Sequence, residues 1–427
     1  MKEKVFEKDN QWVKKITLFI TSQSISLFGS SLVQFAIMWY ITLQTKSGAM
    51  MTISTLCGFL PQILISLFAG VWADRYDRKK LIVISDALIA ISTLVLAIFF
   101  LCGFKRIWLL FVVSAVRSLG SGVQTPATNA IIPQFVPEDK LMKVNGLNQT
   151  CCSLITLISP VVSGAVLGVI GIEMVFFIDV FTAIIGISVL LFIKIDRCQQ
   201  RAQESKISCF RDIASGFCYI KKNKLLVTMI IFSACINILL SPAAILTPLL
   251  IARNYGSEIW KLTANEMAFS IGAMVGGIGI TIWGGFKNKT HTIGISAIVL
   301  GILTSGIGLV NTIILFLFVD VVAGLALPFF SSPFIVFLQE MVEDEMRGRV
   351  FSIVQIISTG ALPIGMMIFG PLSDVLSLKY IFIGTGLLMG LLGIILFFTK
   401  AMRQYAHTIK YSTNATTNCG KMAGYSE

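Results

Sequence analysis

Five ionisable side chains lie within long apolar segments of the sequence. They are Asp86, Arg117, Asp179, Asp320 and Glu266. A charge in such a segment is costly, so it usually carries a proton, binds an ion or a charged ligand, or pairs with another charge. Arg117 lies about ten residues into its segment and Asp320 about seven, which predicts depths of ~15 Å and ~10 Å at the helical rise per residue. The pattern predicts a site that exchanges charge inside a membrane.

The composition is that of a membrane protein. The chain has 427 residues, of which 55% are hydrophobic and only 13% are charged. About a quarter of the residues are charged in an ordinary soluble domain. These values exclude most soluble classes, disordered chains and collagen. Nucleic-acid binding is not expected either, because the basic residues behind the net charge of +12 lie between the apolar segments.

The sequence predicts no metal, no cofactor and no enzymatic activity. The nine cysteines show no metal-ligand spacing, so we interpret them as small apolar packing residues. No nucleophile–base pair stands out. The sequence also has no nucleotide-binding loop motif, so direct use of ATP is not expected. Whether an associated ATPase takes part cannot be tested from the sequence.

Twelve apolar segments are long enough to cross a bilayer as helices, which requires about 20 residues each. We therefore predict an all-α membrane protein with twelve transmembrane helices. The segments are approximately 16–43, 51–71, 81–101, 107–130, 147–168, 174–194, 225–250, 264–286, 292–311, 313–338, 350–371 and 379–399.

The distribution of Lys and Arg predicts the orientation of these segments. With the N-terminus in the cytoplasm, 27 Lys and Arg residues lie in the inner loops and tails and six lie in the outer loops. Because loops rich in Lys and Arg stay on the cytoplasmic side, both termini are predicted to be cytoplasmic. The positive charge is therefore mainly a signal of topology, with contacts to the lipid bilayer as a secondary consequence.

The sequence contains a weak internal repeat with an offset of 206 residues. Phe176 falls on Phe382, and Gln149 falls on Gln355. Six spans per half in the same orientation indicate two parallel repeats, with a substrate site between the halves. The predicted divisions are an N-terminal half over 1–194, a cytoplasmic linker with an interfacial amphipathic helix over 195–224, a C-terminal half over 225–400 and a cytoplasmic tail over 401–427.

The loop after the second span carries the most specific motif, Gly70-Val-Trp-Ala-Asp-Arg-Tyr-Asp-Arg-Lys-Lys80. It resembles the signature loop of the major facilitator superfamily, but it has Asp77 where that family usually has Gly. The resemblance implies a conformational latch, in which Asp74 accepts hydrogen bonds from Arg78 or from the amides of a helix N-terminus. The latch residues would be Gly70, Asp74, Arg75, Asp77 and Arg78. The alternative is a simple positive anchor on the cytoplasmic side.

Three further segments narrow the resemblance. The segment 114–122, which includes Arg117, resembles the span-4 motif of the superfamily, and the segment 159–164 resembles its span-5 antiporter motif with Ser in place of two glycines. The segment 125–141 looks like the bacterial drug-exporter branch that contains the macrolide-efflux and enterobactin-exporter-like proteins. The similarity covers roughly 12–400 and is strongest to the macrolide-efflux group.

The resemblance implies a secondary active exporter in the bacterial cell membrane, in which an amphipathic drug leaves as protons enter. Spans 1, 4, 7 and 10 would line a central cavity faced by Arg117 and Asp320, and Asp320 would alternate between proton and cationic drug. For Asp86 and Asp179 a coupling role and structural pairing both stay open. Glu266 is expected near the first turn of span 8. The candidate cavity residues are Gln34, Phe35, Met38, Gln124, Asn237, Phe329 and Phe330.

Two other transport functions fit the same fold. One is export of a siderophore or another metabolite, and the other is movement of a lysophospholipid. The sequence does not discriminate among these substrates, because the shape of the cavity depends on side-chain packing.

Overall fold

The computed structural model of the chain describes residues 2–137, 140–193, 209–286 and 288–399. Within these ranges the chain is almost entirely helical and has no β-strand. The α-helices are α1 Lys2–Thr45, α2 Gly48–Arg75, α3 Arg78–Leu101, α4 Ile107–Phe135, α5 Leu141–Val169, α6 Ile172–Phe192, α7 Cys209–Lys222, α8 Lys224–Ser241, α9 Thr247–Asn254, α10 Ile259–Trp283, α11 Lys289–Leu309, α12 Ile313–Met341, α13 Asp344–Val375 and α14 Leu378–Phe398.

The prediction of twelve transmembrane helices is confirmed. Among the described residues, twelve helical segments are long and apolar enough to cross a membrane, and each predicted span overlaps one of them. The seventh span joins α8 and α9 through a π-helical turn, Pro242–Leu246. Several helices begin where a polar side chain accepts hydrogen bonds from the amides of the first turn, as N-cap residues do. These caps are Ser47, Asp77, Asn223 and Asn288.

The contacts divide the chain into two compact units. The first contains α1 to α6 together with Pro248–Met267, which includes most of α9 and the first part of α10. The second contains α7, α8, the rest of α10 and α11 to α14. Pro248–Met267 belongs to the first unit although the predicted division gives it to the C-terminal half. In this unit Arg253 donates hydrogen bonds to the carbonyl oxygen of Lys46 over 3.0 and 2.6 Å. The predicted tail and the linker residues up to 208 lie outside the described ranges.

The first unit has an apolar core between α1, α3, α4 and α6. In it the ring of Phe100 stands edge-on to that of Phe176, with centroids 5.5 Å apart. Two glycines bring α1 and α6 close together. A Cβ atom on Gly29 would lie 3.0 Å from the Cα atom of Asp179, and one on Gly186 would lie 3.0 Å from the carbonyl oxygen of Ser22. This close packing positions the polar groups of the candidate site.

The second unit also depends on close approaches of helix backbones. A Cβ atom on Gly301 of α11 would lie 2.5 Å from the carbonyl oxygen of Gly386 in α14. Gly272 and Gly276 of α10 similarly face the backbone of α12. Small residues at such contacts are a common basis of helix packing in membranes, because lipid offers no hydrophobic driving force between helices.

The helix α7, which ends at Lys222, packs on α13 in the second unit. Gly216 lies against the side chains of Ile353 and Arg349. The hydroxyl oxygen of Tyr219 accepts a hydrogen bond from the backbone amide of Glu343 over 3.4 Å. The predicted contact of this segment with the membrane surface stays a prediction.

The glycine packing of the second unit leads to a stability prediction. A Cβ atom on Gly386 would lie 2.6 Å from the backbone nitrogen of Ser305, whereas one on Gly390 of the same helix would meet nothing within 4 Å. We expect Gly386→Ala to lower the free energy of unfolding by ~1–3 kcal/mol through overpacking, and Gly390→Ala to leave it nearly unchanged. Thermal unfolding of the purified variants in detergent measures both. Equal melting temperatures for the two variants would contradict the packing described here.

Candidate functional site

Arg117 forms a buried ion pair with Asp179. The two side chains lie in α4 and α6, with residue exposures of 8% and 0%, and the guanidinium group donates to Oδ2 of Asp179. It also donates to Oγ1 of Thr93 and to the carbonyl oxygen of Ser30. The hydroxyl group of Ser30 donates to the other carboxylate oxygen of Asp179 over 3.2 Å. The pair therefore links α1, α3, α4 and α6.

This arrangement corrects the expected orientation of Arg117. The resemblance implied that Arg117 faces a ligand cavity, whereas its guanidinium group is directed at Asp179 and other partners in its own unit. The physical reason is the cost of an unpaired charge in an apolar interior, which a carboxylate and two oxygen acceptors offset. The sequence left two alternatives open for Asp179, a coupling role and structural pairing. In the structure Asp179 is paired with Arg117.

Asp86 lies in a second polar cluster, formed by neutral groups. It is only 1% exposed, and its Oδ1 atom accepts hydrogen bonds from Gln124 over 2.6 Å and from Ser26 over 3.5 Å. The amide nitrogen of Gln124 also donates to Oε1 of Gln23 over 3.3 Å, and Thr128 donates to the same oxygen. Gln124, expected to contact the substrate, is therefore a hydrogen-bond partner of a buried acid.

The acidic residues of the later spans differ in burial. Asp320 in α12 is 5% exposed, as expected for a carboxyl group within a span. Glu266 in α10 is half-buried. The expectation that Glu266 lies in the first turn of its helix is wrong, because α10 begins at Ile259 and Glu266 is two turns further along. The residues Ile259 and Trp260 extend the apolar segment beyond its predicted start.

The candidate cavity residues of α1 and α8 lie at partly accessible positions. Gln34 is exposed, and Phe35, Met38 and Asn237 are half-buried. The ring centroid of Phe35 lies 5.7 Å from that of Trp39. The amide nitrogen of Asn237 donates to the backbone carbonyl one turn earlier in α8.

Phe329 and Phe330 serve mainly as packing residues within the second unit. The ring of Phe330 is buried and lies between those of Phe232 and Phe334. The ring of Phe329 packs against Trp283, with centroids 5.8 Å apart. The assignment of Phe330 to the cavity wall is therefore corrected, because its ring completes the apolar core of its own unit.

The loop between α2 and α3 ties several helices of the first unit together. Arg78 donates hydrogen bonds to the carbonyl oxygens of Ala73 over 2.9 Å and Ala130 over 2.6 Å. Lys79 donates to the carbonyl oxygens of Leu191 and Ile193 at the end of α6. Through these hydrogen bonds Arg78 and Lys79 hold the ends of neighbouring helices together, in addition to anchoring the loop by their positive charge.

Asp77, the position that departs from the family motif, caps α3. Its carboxylate accepts hydrogen bonds from the backbone amides of Lys79 and Lys80 over 3.0 and 3.3 Å. Its φ of −63° lies in a region open to any residue, so this turn does not require glycine. The side chains of Asp74 and Arg75 and the surroundings of Gly70 lie outside the described part of the chain, so the latch stays a prediction.

The buried charges on α3, α4 and α6 have hydrogen-bonding partners on α1 that were not predicted from the sequence. Gln23, Ser26 and Ser30 follow one another at spacings of three and four residues, which places them on one face of the helix. Arg117 and Gln124 on α4 are also separated by two helical turns. Polar residues at these spacings within an apolar span are the sequence signal that identifies the three partners on α1.

Comparison with known proteins agrees with this architecture. The family model described as transmembrane secretion effector matches residues 14–418. Macrolide efflux protein A of Streptococcus pyogenes is 29% identical over 385 residues, covering 90% of this chain and 95% of that protein. Macrolide efflux protein A of Enterococcus faecalis is 30% identical over 321 residues, covering 75% of this chain and 99% of that protein.

Solved transporter structures share the fold. A bacterial homologue of the iron transporter ferroportin, in an inward-facing state, has a TM-score of 0.67 at 15% identity and covers 90% of this chain and 98% of its own. At that identity the likeness concerns the fold alone. The match of the family model over nearly the whole chain shows that the protein belongs to the transmembrane secretion effector family of the major facilitator superfamily.

Proposed function

We propose that the protein exports an amphipathic, weakly basic drug in exchange for protons. The proposed substrate is a macrolide antibiotic. The observation that carries this proposal is the buried acid Asp320 in a span, in a chain that aligns with macrolide efflux proteins over most of its length. Transport runs by alternating access. The site of action is the bacterial cell membrane, with both termini in the cytoplasm.

The exchange depends on the chemistry of a carboxyl group in a span. Such a group holds a proton or pairs with an organic cation, since an uncompensated carboxylate in an apolar interior is costly. A drug cation that reaches Asp320 displaces its proton, and a returning proton releases the drug. Gln34, Phe35, Met38 and Asn237 are the proposed substrate contacts, because apolar side chains with a few polar groups suit a large amphipathic ligand.

The pair of Arg117 and Asp179 has a different role in this proposal. Both charges are already matched within the first unit, so the pair stabilises that unit and does not exchange with the drug. The loop residues Asp77 and Arg78 likewise support the helices. The proposed exchange of proton and drug thus takes place at Asp320 and not at this ion pair.

The role of Asp320 can be tested in an efflux-deficient bacterial host. We expect Asp320→Asn to lower the erythromycin resistance of the cells to that of cells with the empty vector, because the amide cannot release a proton. The control is Asp344→Asn, whose side chain is 85% exposed and which should leave resistance unchanged. Wild-type resistance in Asp320→Asn at equal membrane expression would reject the coupling role.

The structural role of the ion pair is tested by thermal unfolding. Asp179→Asn leaves the buried guanidinium group of Arg117 without its counter-ion, which should cost ~3–5 kcal/mol of stability. Because the combination of Arg117→Met and Asp179→Asn removes both charges, it should recover most of that loss. A double variant that is no more stable than the single one would show that the two charges do not act as a pair.

The substrate class and the energy source are tested by susceptibility and uptake. Expressing cells should gain resistance to macrolides and accumulate less labelled erythromycin. A protonophore should abolish that difference, since the proton gradient drives export. Resistance limited to other amphipathic cations would point to a different drug. Unchanged drug susceptibility together with altered siderophore release or lysophospholipid transport would favour one of the alternative substrates.

A further inference from the structure

The buried part of the first unit contains more acid than base. Asp86 and Asp179 are both buried there, and Arg117 is the only buried basic side chain among the described residues of this unit. The guanidinium group of Arg117 donates its hydrogen bonds to Asp179, Thr93 and a backbone carbonyl oxygen. Every described hydrogen-bond partner of Asp86 is neutral. Within the described part of this interior, one carboxyl group therefore has no cation in contact with it.

No other charged group described on the neighbouring helices offsets Asp86. Of the helices packed against α3, α4 carries Arg117, and α6 carries Asp179 and Glu173. Glu173 lies at the start of α6 and is paired with Lys105 over 2.5 Å. The charged residues of α1, α2 and α3 other than Asp86 lie near or beyond the ends of the apolar spans that these helices contain. The environment of Asp86 therefore favours the neutral acid over a carboxylate.

The hydrogen bonds around Asp86 are incomplete in a way that suits a mobile proton. Oδ2 of Asp86 and the amide nitrogen of Gln23 are both buried, and neither has a hydrogen-bond partner within the described residues. A protonated carboxyl group has an O–H donor, whereas a carboxylate only accepts. A glutamine amide can serve either form, because it offers its carbonyl oxygen to the acid or its N–H group to the carboxylate.

We infer that Asp86 is a proton-carrying residue of the first unit, and that Gln23 and Gln124 respond to its protonation. In the closed cluster Asp86 keeps its proton on Oδ2. When water reaches the cluster, the O–H bond breaks, the proton passes to water, and the amide of Gln23 turns its N–H group towards the carboxylate. Because Gln23 and Gln124 lie on α1 and α4, loss of the proton changes the contacts between these helices and α3. This inference rests on the proposed proton exchange and adds a second proton site to Asp320.

The protonation itself is tested by infrared spectroscopy, independently of any substrate. The purified full-length protein should show a carboxylic-acid C=O band that shifts in heavy water. Part of this band should be lost in Asp86→Asn and kept in Asp344→Asn, whose carboxylate is exposed. A carboxylic-acid region in Asp86→Asn identical to that of the wild type would overturn the inference.

The role in transport is tested in liposomes with erythromycin as the probe. Asp86→Asn should retain exchange of labelled for unlabelled erythromycin at a rate within a few-fold of the wild type, and should lose accumulation driven by a pH gradient. Asp86→Glu, which restores a titratable group, should regain part of that accumulation. Gradient-driven accumulation in Asp86→Asn at the wild-type level, or loss of exchange together with accumulation in both variants, would contradict the inference.

These experiments separate the inference from the proposed function. If the wild-type protein moves no erythromycin at all, the proposed substrate is wrong. The infrared experiment still tests the protonation of Asp86, because it needs no substrate. If the wild-type protein moves erythromycin and Asp86→Asn behaves like it in both assays, the proposed function survives and the role of Asp86 does not.

Discussion

The cost of a charge in an apolar interior is the constraint on which the first unit depends. It brings Arg117 and Asp179 together, and it gives their remaining hydrogen-bonding groups partners on α1 and α3. Four helices therefore meet at one ion pair. Gly29, one of the two glycines that let α1 and α6 approach closely, lies beside this pair, so close helix packing and charge pairing occur at the same place in the unit.

The same constraint separates two kinds of buried acid. Asp179 has a guanidinium partner and accepts a further hydrogen bond from the hydroxyl group of Ser30. Asp86 has amides and a hydroxyl group as neighbours, which stabilise a neutral carboxyl group at least as well as a charged one. Buried acids of the second kind are suited to gaining and losing protons, whereas those of the first kind hold helices together.

Hydropathy predicted the twelve spans because it depends only on the composition along one helix. The partners of the buried charges were harder to predict, since contacts between α1, α3 and α4 depend on how each helix is rotated about its axis. Asp86 and Gln124 were both singled out from the sequence, yet their mutual contact was not. Phe330 looked like a cavity residue because an aromatic ring in a span can equally face a ligand or a neighbouring helix. The eighth span was predicted to start at residue 264, whereas α10 begins at Ile259, because the helix continues past the end of the apolar segment through Lys261.

The helix cap at Asp77 has a consequence for how members of this family are recognised by their sequences. The signature loop has glycine at this position, but here the backbone is in an ordinary conformation and the carboxylate holds the first amides of α3. A pattern that insists on glycine would pass over this chain, although its loop connects the same two spans. Aspartate at this position is thus a second chemical solution to starting the third span, one that depends on helix capping instead of on chain flexibility.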